Sequence, residues 1–357
     1  MVEATVQEQT LKRLEELRAV LPVKGRVLII PHDYPDPDAL ASAAAAHLLL
    51  DKYFGLHSQI VFTGVVSRAE NREMLRHFHY KWHLLSQLRT TRRRIPCIFV
   101  DTKPRAGNVT MPSFGKPVAV FDHHPVSRKN PLGDVFADIR AGAGASVTIL
   151  HEYLVAANIA VPKWLAAVMA YGIATETLDL SRNCTPEDMQ AYTSLLAKAN
   201  MSVMGEIRHA PLPPTYYAQL QEAIGNAQIF GRVAWTHLRD VAQPEIVAEV
   251  ADLLARMERM TWSFCTAYQG DNLIVSLRSS QKGARCGQLL KTIIRKQGSG
   301  GGHHWMAAGY LNMEGVPDPE REERRDALVK ALLSGIERRS VAGSEPVELV
   351  ARPLIGK

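Results

Sequence analysis

The sequence predicts a two-domain α/β protein: an N-terminal domain on a parallel sheet with helices on both faces, then a smaller α+β domain. Three observations carry this expectation. Short, nearly all-apolar runs ("VLII" at 27–30, "IVF" at 60–62, "IFV" at 98–100, "AVF" at 119–121) alternate with helical segments, as strands buried on both faces do. The alternation ends near Ala197, and a proline-rich stretch, "RHAPLPPTYY", follows. A chain of 357 residues is also long enough for two cores.

In order, the pattern gives an amphipathic helix from Thr5 to Val20, strand "RVLIIPH" and an alanine-rich helix from about Asp38 to Lys52. Strand "SQIVFTG" leads to a charged helix beginning near Ala69. Strands "CIFVD" and "PVAVFDHH" end at Asp101 and His124, and helices follow at Ser146–Ala157 and Pro162–Tyr171. Past the proline-rich stretch lie "AQIFGRVAWTHL", the helix "PEIVAEVADLLARMERM" and two strands joined by a "QGDN" turn. Helix "CGQLLKTIIRKQ" and an expected binding loop, "GSGGGHHWMAAGY", complete the smaller domain. The expected division is a first domain over 1–197, a linker over 198–224 and a second domain over 225–357.

Composition narrows the class. Hydrophobic content of 46% and charged content of 22% are those of an ordinary globular protein, and the net charge of +6 is compatible with a phosphate-rich substrate. Four scattered cysteines without a CxxC pair read as reduced thiols of a cytoplasmic protein. With no signal-peptide core and no 18-residue apolar run, no membrane partner is expected.

The chemistry gathers where strands end. "VLIIPHDYPDPD" delivers His32, Asp36 and Asp38; "IFVD" delivers Asp101; "AVFDHH" delivers Asp122, His123 and His124. Ligands of open parallel sheets collect at the carboxyl ends of strands, so these groups should converge. A lone Asp after a strand is commonly a helix cap, and Asp33 and Asp122 are read as local support. Three successive strand ends bearing His or Asp exceed what capping needs. Imidazoles mixed with several carboxylates suit Mn²⁺ or Mg²⁺ rather than a thiolate zinc site. The number of ligands points to two ions, roughly 3.5–4 Å apart.

These stretches carry a family resemblance. "HDYPDPDA", "VDT", "DHHP" and "GIATET" resemble the four motifs of the DHH phosphoesterase superfamily, and "VSLRSS" and "GGGHHWMAAG" resemble the signatures of its C-terminal DHH-associated domain. The likeness spans about residues 26–310 and is nearest to the nanoRNase/oligoribonuclease group. It implies a two-metal phosphodiesterase acting on short single-stranded RNA or linear dinucleotides, and in some members on 3′-phosphoadenosine 5′-phosphate. The active site would lie in a cleft between the domains, the products would be 5′-mononucleotides, and a homodimer is compatible. Pyrophosphatase, exopolyphosphatase, RecJ-type exonuclease and nucleotide-sensor readings stand as alternatives. By motif position His32, Asp36 and Asp101 would hold one ion, and Asp38, Asp101, His123 and Glu176 the other, with Mn²⁺ expected ahead of Mg²⁺. His124 would face the scissile phosphate. Arg278, Ser279, Gly301, Gly302, His303 or His304, and Arg72 would meet substrate. The fourth motif departs from the group's Thr-Asp-Thr-Gly, reading Thr175-Glu176-Thr177-Leu178, and Asp179 is a nearby substitute carboxylate.

Overall fold

The structure is a computed structural model that describes residues 2–66, 68–90, 94–126, 132–302, 304–339 and 352–353. It divides into two compact units, Met1–Pro211 and Leu212–Lys357.

The first unit runs α1 (Val2–Val20), β1 (Arg26–Ile30), α2 (Pro37–Lys52), β2 (His57–Phe62), α3 (Ala69–His77), β3 (Trp82–Leu84), β4 (Ile95–Val100), β5 (Gly115–Asp122), β6 (Phe136–Ile139), α4 (Ser146–Ala156), α5 (Lys163–Glu176), α6 (Pro186–Leu196) and α7 (Met201–Arg208). Its six described strands are parallel, in the order β3-β2-β1-β4-β5-β6. The order reverses direction between β1 and β4, and at such a switch point the loops diverge and leave a crevice. Alternate residues of the central strands serve two cores. Val27, Ile29, Ile98, Val100, Ala119 and Phe121 face the core to which the helices α1 to α7 contribute. Leu28, Ile30, Cys97, Phe99 and Val120 face a second, covered by Leu85, Leu88, Val109, Met111 and Phe114 from a 3₁₀ turn and loops. The alanines of α2 let it approach α5 closely: a Cβ on Gly172 would lie 3.0 Å from Pro37 O and 3.1 Å from Ala41 Cβ. That close approach brings the start of α2 near the end of α5.

The second unit runs α8 (Pro214–Gly225), β7 (Gln228–Phe230), β8 (Val233–Asp240), α9 (Glu245–Ala255), β9 (Trp262–Gln269), β10 (Asn272–Ser279), α10 (Cys286–Ile294), β11 (Gly298–Gly302), β12 (Met306–Asn312), α11 (Asp318–Glu337) and β13 (Arg352–Pro353). The sheet order is β11-β12-β10-β9-β8-β7-β13, with β8 and β9 parallel and the other pairs antiparallel. α10 and α11 cover one face and α8 and α9 the other.

Two expectations need correction. The segment 198–224 is largely helical rather than a linker: Asn200 caps α7, and Pro214 occupies the first turn of α8, where its missing N–H costs nothing. The glycine-rich stretch is the edge strand β11, paired with β12, rather than a loop. Crowding accounts for Gly302 (φ +146°), where a Cβ would sit 2.3 Å from Met306 O.

Candidate metal centre

At the switch point the ends of β1, β4 and β5 bring their polar residues together. Asp101 stands at the middle, almost fully buried, with φ +54°, a left-handed conformation unusual for a residue with a side chain. Its Oδ2 lies 3.5 Å from His32 Nε2, and its Oδ1 lies 3.4 Å from His123 Nε2 and 3.8 Å from His124 Nδ1. Ser146 Oγ donates to the same Oδ1 at 2.9 Å.

Each histidine is held by its other nitrogen. His32 Nδ1–H donates to Asp33 O at 2.8 Å and His123 Nδ1–H to Ala143 O at 3.1 Å. A carbonyl can only accept, so each Nδ1 carries a hydrogen and each Nε2 is turned inward. His123 Nε2 is buried without a hydrogen-bond partner. His124 is partly exposed, and its Nδ1–H donates to Asp122 Oδ1 at 2.9 Å. Asp122 is fully buried and also pairs with the Lys103 ammonium, which donates to His124 O at 3.2 Å.

The prolines and acids after β1 have double duties. Asp36 caps α2 by accepting from Ala39 N at 3.0 Å through Oδ1, while its Oδ2 lies 3.6 Å from His32 Nε2. Asp38 accepts from the first amides of α4, Ser146 N at 2.7 Å and Val147 N at 2.9 Å, and stands 3.9 Å from His123 Nε2. The helix N-terminus thus offsets part of its charge. Asp33 is a loop staple, bonded to Thr110 N and Oγ1 at 3.1 and 2.7 Å. Glu176 closes α5, five residues beyond the helix end expected at Tyr171. Asp179 is exposed and pairs with Arg208 at 3.3 Å.

The electrostatics are those of too many acids in one place. Burial, then the charge of Asp36, pushes the Asp38 carboxyl up to about 7. Burial and the charges of Asp36 and Asp38 push Glu176 up to about 8. Burial and the surrounding carboxylates hold Asp101 well above the usual range. Although burial opposes it, the Asp36 carboxylate raises His32 to about 9, and the same pairing, against burial, draws Asp36 below the carboxylate range. Burial and the neighbouring His124 lower His123 to about 4, so it is a neutral donor at pH 7. Divalent cations would let these carboxylates ionise together and would satisfy the stranded Nε2. His32, Asp36 and Asp101 have donor atoms within 4.8 Å of one another, as do Asp101, His123 and His124. The residues fit two hard cations sharing Asp101.

Three supports were not read from the sequence: Lys103, Ser146 and Asp188. The last is fully buried and binds Gly144 N, Thr148 Oγ1, Thr185 N and Thr185 Oγ1 at 2.6–2.9 Å, fixing the loop that carries Ala143 O. The run "AGAGAS" at 141–146 was the available signal.

The other candidates are placed less simply. On the first unit, Arg72 is partly buried in α3. On the second, Arg278 is engaged by both oxygens of Asp252 and donates to Ser276 Oγ at 2.8 Å and Leu277 O at 3.1 Å. Ser279 Oγ is nearly buried and spent on Thr261 O and Gln281 N, both at 3.0 Å. Gly301 and Gly302 pair with Ala308 and Ala307 in the sheet, His304 is exposed, and His303 lies outside the described residues. Among the described residues no helix is long and apolar enough to cross a membrane.

Fold and site together define an α/β domain on a parallel six-stranded sheet with a candidate metal centre at its switch point, followed by a mixed-sheet domain. Residues 26–173 match the DHH family, N-terminal domain, and residues 230–337 match the DHHA1 domain. The chain belongs to the DHH superfamily and carries a C-terminal DHHA1 domain. It is 25% identical over 289 residues to an uncharacterized protein of Methanocaldococcus jannaschii, covering 81% of this chain and 58% of that one. It is 24% identical over 183 residues to a probable manganese-dependent inorganic pyrophosphatase of Enterococcus faecalis, covering 51% and 58%. The chain therefore spans under two thirds of the length of these relatives. Among solved structures, an exopolyphosphatase-related protein from Bacteroides fragilis shares the fold, with a TM-score of 0.63, 13% identity and coverage of 87% and 93%.

Proposed function

We propose that this protein is a two-metal phosphodiesterase that hydrolyses short RNA oligomers or linear dinucleotides to 5′-mononucleotides, with 3′-phosphoadenosine 5′-phosphate as a further substrate. The observation that carries the reading is the strand-end cluster around Asp101, with its two inward Nε2 atoms and its excess of acids. His32, Asp36 and Asp101 would hold one ion, and Asp38, Asp101, His123 and Glu176 the other, Mn²⁺ ahead of Mg²⁺. Bound there, the ions supply Lewis acidity and an activated water for attack on phosphorus. The chain's own work is orientation. Asp33 O and Ala143 O fix the histidine tautomers, the amides of α4 fix Asp38, and Asp122 aims His124. His124, with Nδ1–H held by Asp122, would meet a substrate phosphate through Nε2. Arg278 would bind a second phosphate or the terminal one, which requires that the anion compete with Asp252 for the guanidinium.

A second reading is hydrolysis of pyrophosphate, favoured by the similarity of half of this chain to probable manganese-dependent inorganic pyrophosphatases. Product analysis with Mn²⁺ on labelled dinucleotides, 5- to 20-mers, pyrophosphate and 3′-phosphoadenosine 5′-phosphate separates the two. The proposal expects rapid release of 5′-mononucleotides from the shortest RNAs. Turnover of pyrophosphate alone rejects it, and equal rates on 20-mers and dinucleotides move it to a RecJ-type exonuclease.

A further inference from the structure

The stretch "RHFHYKWH" offers histidines at 77, 79 and 83 that read from sequence as surface and packing, because no strand end precedes them. His77 has a different setting in the structure. Glu73 and His77 lie one turn apart on α3, and α7 brings Glu206 to the same place. His77 Nε2 stands 3.7 Å from Glu73 Oε1 and 3.3 Å from Glu206 Oε2, and the three donor atoms fall within 4.8 Å of one another. The Nε2 atom is shielded from solvent and makes no hydrogen bond.

Those separations are longer than an N–H···O bond, which rarely exceeds about 3.2 Å. They match the edges of a ligand polyhedron instead. Ligand bonds of about 2.0–2.2 Å set tetrahedral donors roughly 3.3–3.6 Å apart. The strand-end cluster gives an internal yardstick, with Nε2-to-carboxylate distances of 3.4, 3.5 and 3.6 Å. The outer oxygen of each glutamate is already held: Arg76 Nη1 donates to Glu73 Oε2 and Ser202 Oγ to Glu206 Oε1, both at 2.9 Å. Each carboxylate is thereby turned so that its inner oxygen meets Nε2, as outer contacts do for ligating carboxylates.

We propose that Glu73, His77 and Glu206 form a separate divalent-metal site of zinc type that clips α7 to α3. One imidazole and two carboxylates give three protein ligands, and the half-exposed Glu206 side leaves a fourth position for water. α7 has only eight residues, and the clip joins it to an element more than 120 positions earlier in the chain.

The test is the zinc content of chelator-treated, full-length protein after dialysis against Zn²⁺. Wild type should carry one ion more per chain than His77→Ala or Glu206→Gln, and zinc should raise its melting temperature by more than theirs. The difference does not depend on how many ions the strand-end cluster holds, so it stands apart from the proposed function. Glu206 is 53% exposed, so Glu206→Gln keeps the count decisive if His77→Ala fails to fold. Equal zinc content in wild type and Glu206→Gln would overturn the site.

Discussion

Asp188→Ala should damage both stability and metal binding from a position with no direct view of the metal centre. The carboxylate is fully buried; Oδ2 accepts from Gly144 N at 2.7 Å, Thr185 N at 2.9 Å and Thr185 Oγ1 at 2.7 Å, and Oδ1 from Thr148 Oγ1 at 2.6 Å. The two hydroxyls can rotate towards other acceptors, whereas the two backbone amides cannot. Each stranded buried donor costs about 1–3 kcal/mol. For the two amides the sum comes to about 2–6 kcal/mol before the lost hydroxyl contacts are added, a large fraction of the ~5–15 kcal/mol that folded proteins typically have. The same loop presents Ala143 O to His123 and the Ser146 and Val147 amides to Asp38. Its relaxation should weaken Mn²⁺ binding by roughly 10–100-fold. Urea unfolding of the metal-free protein and Mn²⁺ titration calorimetry read the two effects. A folded variant within about 1 kcal/mol of wild type, or one with undiminished Mn²⁺ affinity, would refute the reasoning.

Protons should leave when metal enters. With Asp38 raised to about 7, Glu176 to about 8, His32 to about 9 and Asp101 higher than usual, the metal-free centre holds protons at neutral pH that a cation must displace. Apparent Mn²⁺ affinity should therefore climb with pH through that range and level off above it. Calorimetry in buffers of different ionisation enthalpy should show net proton release; affinity independent of pH would contradict the crowding. Glu176→Gln should raise the Mn²⁺ requirement by about 10–100-fold, while Asp179→Asn, whose carboxylate is exposed and paired with Arg208, stays near wild type. The opposite pattern would make Asp179 the ligand. Leu178 has φ +47° and a largely exposed side chain, so Leu178→Gly should stabilise the protein by about 1 kcal/mol in urea unfolding. A loss of stability there would show that the leucine packs usefully.

The parts legible in the sequence are those that local pattern determines. The strand ends bearing His32, Asp101 and His123 could be read because apolar runs mark parallel strands and parallel strands share one carboxyl end. Their meeting depends on β1, β4 and β5 being neighbours, which the strand order provides. What stayed hidden are contacts between distant segments: Lys103 with Asp122, Ser146 with Asp101, Asp188 with Gly144. No periodicity reports them. Proline and glycine misled in the second half, because Pro214 starts a helix as readily as it breaks one and Gly298 and Gly302 of β11 serve close packing in a sheet. Arg278 is expected from its motif to meet substrate, whereas in the structure it pairs with Asp252 on α9, and nothing near either residue in sequence announces the pair.

Electron paramagnetic resonance of the Mn²⁺-loaded protein tests the central claim, that Asp101 bridges two ions. Wild type should give a spin-coupled dinuclear spectrum, and Asp101→Asn should lose that coupling together with phosphodiester hydrolysis. A wild-type spectrum of isolated Mn²⁺ only, or a coupled spectrum and full turnover in Asp101→Asn, would contradict the two-metal centre.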